Sequence, residues 1–513
     1  LSIQGFDHAM RPRSVLLTAL LSLLPLAAAP AFAVEPAPTE EVDGLPPGAR
    51  LRLDDLQSLT KDRMFRDAKV AIDVVDLHDG NQVFSWKPNE AMLPASTMKV
   101  LTAAAALKEL GPSYRFTTEV LTDGHLNVAG VLEGDLYVRG NGDPTLVLER
   151  LWKLIYDLRL EGVKEVAGNV FFDDSAFDRS NSIPGWNKRE DIKRGPSYFA
   201  PIGALSLNFN TVAVIVGPGE TVGGEARVQL ETESPGVVEI DNQLLTGVPG
   251  SRRWVRIERE AHRRGMTLAL KGRVPIGSGT LRYYRSVVDP TAHFVAAFSS
   301  LMEQHGIKVQ GHFLESGVPE RGVRTLVQLR SPPLAAILME MNKYSSNFTA
   351  EQVLKAVGAS GGGLPGTTQK GLTVIEDYLT SLGIPSSEYK LVNGSGLSRT
   401  IEIRPSHLTR VLADMAADPQ VGHEFMASLS IGGRDGTLWA RFQEEDQVGR
   451  LRGKTGTING VHCLAGYIEA ADGGMYAFAY LVNDLPRSIA VARRAHDAFV
   501  GAFMEPVEPG ATE

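Results

Sequence analysis

The sequence predicts a mixed α/β (α+β) fold in which an antiparallel sheet and its covering helices come from two separated stretches, with β-rich domains inserted between them. Three observations predict it. A strand–turn–strand pattern over residues 69–86 runs directly into an alanine- and leucine-rich helix starting near Ser96. Residues 212–285 are rich in Val, Gly and Pro, with strand-length runs and no helical periodicity. From residue 331 the helix signals return, and the chain closes strand, strand, helix.

Taken in order, Met10-Arg11-Pro12-Arg13 is basic, residues 15–26 are apolar, and Ala31-Phe32-Ala33 places small residues where a signal peptidase reads. Residues 1–33 therefore read as a secretory signal peptide with an upstream extension, cleaved after Ala33, which implies a periplasmic or other extracytoplasmic location. As a membrane span the run is short and broken by Pro25. Residues 34–50, with several Pro and Glu, read as a flexible lead-in. Strands are expected at 69–77 and 82–86 around the turn His78-Asp79-Gly80-Asn81, then the Ser96 helix, stopped by Gly111-Pro112. Beyond it come β-rich runs with one helix at 146–160, the strand-only stretch 212–285, a helix at 288–306 and strands over 307–330. Helices follow at 334–341, 347–357, 372–382 and 405–416, the last with Pro405 in its first turn. Strands at 461–468 and 476–482 precede a final helix over about 488–503, which reads as packing on the sheet and not as a membrane anchor. This order assigns 51–115 and 331–505 to one split domain, 116–211 and 286–330 to an inserted domain, and 212–285 to a second, small β domain.

Composition narrows the function. At 513 residues the chain exceeds what one core usually serves. A formal charge of -8 and the absence of a long basic cluster argue against nucleic acid as partner. One cysteine, Cys463, excludes an intramolecular disulfide framework, and that residue reads as a buried strand position. The eleven histidines include no pair at i, i+4 and no His-Glu-x-x-His, so no metal is expected. Gly361-Gly362-Gly363-Leu364-Pro365-Gly366 follows a helix and opens no strand-to-helix turn, so no nucleotide or other cofactor is expected.

Chemistry is concentrated in three short segments. Ser96-Thr97-Met98-Lys99 puts a hydroxyl and an amine one helical turn apart on the same face, an arrangement suited to a serine nucleophile and a lysine base. Tyr344-Ser345-Ser346-Asn347 offers a hydroxyl relay and an amide, and reads equally as a helix N-cap. Gly453-Lys454-Thr455-Gly456-Thr457 reads as strand, with Lys454 and Gly456 facing away from Thr455 and Thr457. Together, in this order, they match the set found in penicillin-binding proteins and class A β-lactamases. The roughly 250 residues between Ser96 and Ser345 exceed a compact β-lactamase and correspond to the inserted region.

With these motifs, and with Gly140-Asn141-Gly142-Asp143, Asn393-Gly394-Ser395-Gly396-Leu397 and Gly433-Arg434-Asp435-Gly436-Thr437, the chain resembles the low-molecular-mass class C penicillin-binding proteins, the D-alanyl-D-alanine carboxypeptidase/endopeptidases. The resemblance implies the penicillin-binding/β-lactamase-like transpeptidase fold. It implies Ser96 as nucleophile, Lys99 as its base and Ser345 as proton relay. Substrate would be held by Asn347, Lys454, Thr455, Gly456 and Thr457. It also implies peptidoglycan stem peptides as substrate and β-lactams as inhibitors. Asp191, after Pro184-Gly185-Trp186, is a candidate carboxylate for an ammonium on the third stem-peptide residue. Two positions depart from the family pattern, Ser346 and Asn393, where Asp is usual. Alternatives are a catalytically silent cell-wall binding scaffold, or a β-lactamase or esterase on the same fold. The sequence assigns no oligomeric state.

Overall fold

The computed structural model describes residues 68–505 other than 187, 232, 233, 264 and 487. The expected signal peptide, lead-in and residues 51–67 lie outside the described residues.

Short apolar runs with period two become one six-stranded sheet in the order Ser430–Ile431, Leu451–Ile458, Val461–Glu469, Met475–Asn483, Lys69–Asp76, Gln82–Trp86. Every neighbouring pair is antiparallel. The hairpin from the front of the chain is zipped to strands from its far end, with Val70 opposite Val482 and Ile72 opposite Tyr480. Alternation sorts the side chains onto two faces. Ala71, Cys463, Ala465, Ala477 and Ala479 join one core with the Lys99–Leu110 helix. Val70, Ile72, Val74, Leu464, Phe478 and Tyr480 join another beneath the Ala490–Met504 helix. Alanines line this core from both the sheet and the helix (Ala103 to Ala106), and the Pro405–Ala417 helix packs directly on the strands Lys69–Asp76, Val461–Glu469 and Met475–Asn483.

The Lys99–Leu110 helix is buried from Lys99 through Leu107. It is expected from Ser96 onward; instead Ala95–Met98 forms a 3₁₀ turn and the α-helix begins at Lys99. The turn is tightened by Pro94, whose carbonyl accepts from the Thr97 amide at 3.2 Å and the Thr97 hydroxyl at 2.7 Å. Alongside lies the Asn347–Gly362 helix, which ends at Gly363 with φ +74°, so the glycine-rich stretch closes a helix. The remaining expected helices fall at Leu148–Leu160, Pro290–Gln304, Leu334–Lys343, Thr368–Ser381 and Pro405–Ala417. Short helices at Arg189–Arg194 and Gly422–Ser428 were not expected; the first buries no residue and so leaves no periodic trace.

Between the two parts of the sheet body the chain builds further cores. One gathers Leu151, Leu154, Phe294 and Phe298 with the strands Leu136–Gly140 and Val170–Asp173. Another is aliphatic (Val212, Val214, Leu244, Leu268, Leu270) and is made by two three-stranded sheets over residues 211–286. Among the described residues no helix is long and apolar enough to cross a membrane.

Candidate active site

Ser96 sits half-buried on the 3₁₀ turn, and Lys99 is completely buried beneath it. The Lys99 amine lies 3.0 Å from Ser96 Oγ, 2.7 Å from Asn347 Oδ1 and 2.6 Å from the Ser395 carbonyl. The amide orientation of Asn347 follows from its other arm, since Nδ2 donates to the Tyr198 carbonyl at 3.0 Å. Of the three partners, the carbonyl and Oδ1 can only accept. A neutral lysine therefore gives its two protons to them and turns its lone pair toward Ser96, the one partner able to donate. Burial pulls Lys99 down to about 7, with the nearby Glu351 carboxylate opposing the shift.

Lys454, also fully buried, donates to Ser345 Oγ at 2.8 Å and to the Thr455 carbonyl at 2.7 Å. Burial, and secondly the charge of Lys99, hold it well below the usual lysine range. Its strand alternates as expected: Lys454 and Gly456 are buried, Thr455 half-buried and Thr457 exposed. A Cβ on Gly456 would stand 2.7 Å from the Pro94 carbonyl and 3.0 Å from the Ser96 amide nitrogen, so glycine is what lets this strand lie against the serine turn. Thr455 donates to Thr437 Oγ1 at 2.8 Å, and Thr457 shares a 2.9 Å hydrogen bond with His462. Cys463 is buried, its thiol pushed up to about 12 by desolvation.

In the second segment each residue has its own task. Ser345 takes a left-handed backbone, φ +58°, an unfavourable conformation for a residue with a Cβ, and this turns its hydroxyl to Lys454. Ser346 caps the helix, accepting from the Thr349 amide at 3.2 Å. Asn347 opens the helix and reaches Lys99. Ser and Asp are both strong N-caps, so Ser346 in place of the usual Asp keeps the same contact.

Other contributors lie outside the three chemistry-bearing segments. The Asn393–Leu397 loop supplies the Ser395 carbonyl to Lys99. Asn393 ties it by donating to the Pro184 carbonyl at 2.8 Å and the Leu397 carbonyl at 3.0 Å, bonds that an ionised Asp could not make. Gly396, φ +80°, lets the loop meet the serine turn, since a Cβ there would lie 1.8 Å from the Ala95 carbonyl. Glu351 is buried one turn beyond Asn347 and accepts from the amides of Gly394 and Ser395 at 3.2 and 2.8 Å. Its i+4 spacing from Asn347 was the one available sequence signal.

Asp191, on the Arg189–Arg194 helix, accepts from Trp186 Nε1 at 2.9 Å. It also faces the Tyr198 hydroxyl, which burial first and this carboxylate second push up to about 12. The backbone carbonyl of the same Tyr198 receives Asn347, so Asp191 is linked to the lysine–serine centre through Tyr198. Among the described residues no group of three or more His, Cys, Asp or Glu could hold a metal ion.

The profile of the D-Ala-D-Ala carboxypeptidase 3 (S13) family matches residues 53–504. The chain belongs to that family. It is 31% identical over 493 residues to a D-alanyl-D-alanine carboxypeptidase of Actinomadura sp. (strain R39), covering 93% of this chain and 88% of that one. It is 25% identical over 447 residues to the D-alanyl-D-alanine carboxypeptidase DacB of Haemophilus influenzae, covering 86% and 89%. The crystal structure of penicillin binding protein 4 (dacB) from Haemophilus influenzae superposes with a TM-score of 0.75 at 25% identity, covering 87% of this chain and 97% of that one. The resemblance drawn from the motifs is thus met: this is a low-molecular-mass class C penicillin-binding protein with the expected fold, and an enzyme, a D-Ala-D-Ala carboxypeptidase.

Proposed function

We propose that this carboxypeptidase cleaves the D-alanyl-D-alanine end of peptidoglycan stem peptides through an acyl-enzyme on Ser96. The observation that carries the reading is the Lys99 amine, buried, shifted to about 7, and 3.0 Å from Ser96 Oγ with its other partners acceptors. Ser96 Oγ attacks the carbonyl between the two D-alanines while Lys99 takes the hydroxyl proton. The amides of Ser96 and Thr457 would hold the oxyanion, each worth about 10²–10³ in rate. Lys99 gives that proton up through Ser345, which Lys454 holds, to the leaving amine, and the terminal D-alanine departs. Water then hydrolyses the ester and regenerates Ser96.

Asn347 holds the substrate amide, and Lys454 and Thr455 its carboxylate, with Gly456 and Thr457 lining the strand beside it. Asp191, beside Trp186 and Tyr198, offers its carboxylate to an ammonium on the stem-peptide side chain. The same centre would open crosslinks as a DD-endopeptidase and be acylated by β-lactams. The catalytic body would be 51–115 with 331–505, flanked by 116–211 with 286–330 and by 212–285. The chain would act outside the cytoplasm after signal-peptide cleavage.

The test is D-alanine release from a pentapeptide substrate, compared with cleavage of crosslinked dimers. Release by the wild type that is abolished in Ser96→Ala is the expected result. No release from either substrate by folded wild type would leave the silent scaffold, and hydrolysis of small esters alone would point to an esterase.

A further inference from the structure

The buried carboxylate of Glu351 belongs to none of the three motifs, yet its charge opposes the effect of burial on Lys99. Glu351 lies on the Asn347–Gly362 helix one turn after Asn347, so both side chains leave the same helical face. Asn347 takes Lys99 directly, while Glu351 takes the loop that carries the third Lys99 partner. That loop is wedged from both sides. A Cβ on Gly394 would lie 3.1 Å from Leu354 of the helix, and one on Gly396 would strike the Ala95 carbonyl on the serine turn. Burial raises the proton affinity of Glu351, and the donors aimed at it, the Ser395 side chain and the amides of Gly394 and Ser395, together with the charge of Lys99, favour its ionised form. A buried anion far from any cation would be strongly disfavoured, and the buried amine whose charge reaches Glu351 is that of Lys99. Lys355, the next side chain along the same face, is engaged elsewhere, with Asp178 at 2.6 Å and the Ser180 carbonyl at 2.8 Å.

We propose that Glu351 is a positioning residue which, through the amides of Gly394 and Ser395, holds the Ser395 carbonyl on the Lys99 amine and serves as the buried counter-ion of Lys99. This rests on Lys99 acting as the base for Ser96. Without the carboxylate, Lys454 is the remaining strong neighbour of Lys99, and like charge favours the neutral amine.

The experiment is the pH profile of second-order acylation by a fluorescent penicillin, for the full chain and for Glu351→Gln and Glu351→Asp, with folding checked by thermal melting. Gln is close to isosteric but uncharged, so the acid limb should move down by roughly one pH unit. The plateau should also fall, because the amide group of Gln cannot accept from both loop amides. Asp keeps the charge and should restore the limb to near the wild-type position even if the plateau stays low. A purely structural Glu351 would lower the plateau in both variants and leave the limb unmoved, and that result overturns the proposal. Should Glu351→Gln fail to fold, NMR titration of Glu351 and Lys99 in the wild type carries the test, a Glu351 carboxylate ionised across the acid limb supporting it and one that stays protonated through the limb overturning it. A wild type with no acid limb, or labelled Ser96→Ala, would instead defeat the role of Lys99 or Ser96 and not that of Glu351.

Discussion

The centre around Ser96 and the small β module over residues 211–286 are opposite solutions to burial. The module fills its interior with Val212, Val214, Leu244, Leu268 and Leu270, which gain by leaving water and ask for no partner. The centre buries Lys99, Lys454 and Glu351 completely, within a body that also encloses Lys343 and Lys355. Each of these charges loses hydration and is compensated only by aimed hydrogen bonds such as Lys99 to Ser395 and Lys343 to Asp435 at 2.6 Å. Buried charge of this kind is a poor way to gain stability and a good way to shift proton affinity. The comparison therefore separates residues kept for chemistry from residues kept for folding.

Substitutions should divide along the same line. Lys99→Met should cut penicillin acylation by about 10³-fold, the scale of a lost general base. Burial sets the sign of the pH dependence of stability. Lys99 is pulled to about 7, so across the range from there to its ordinary value the unfolded chain binds more protons than the folded one, and stability rises with pH. Lys99→Met should flatten that rise, measurable by melting curves across the range. The same proton makes acylation slow below pH 7 and faster above it, because only the neutral amine can accept from Ser96. Gly456→Ala should cost about 10²-fold in acylation by driving a methyl group onto the serine turn.

In the module the expected effect reverses. Leu270→Ala should lower stability by about 3 kcal/mol, read by denaturant titration, and leave penicillin acylation of the folded protein unchanged. Smallest of all, Ser346→Asp should leave acylation within about threefold, since both residues cap the helix. A large loss there would mean that Ser346 touches substrate.

Much of this was legible because the informative features are local. The hairpin before Ser96 and the alanine-rich helix declare themselves locally, and the strand-only stretch by its composition. The three motifs are equally local, their side chains carrying the chemistry in three or four positions. The long-range pairing of Lys69–Asp76 with Met475–Asn483 leaves no such trace, because alternation says which face is buried and not which strand lies alongside. Nor do the carbonyls of Ser395 and Tyr198, since every residue has one. Glu351 leaves little trace for a related reason: a glutamate in a helix ordinarily faces water, and only the fold turns this one inward.

The most direct measurement is mass spectrometric mapping of the penicillin adduct on the full chain. One adduct should form, on the peptide containing Ser96, and none on Ser96→Ala. An adduct on Ser345 or Cys463, or persistent labelling of the alanine variant, would contradict a centre in which Lys99 activates Ser96.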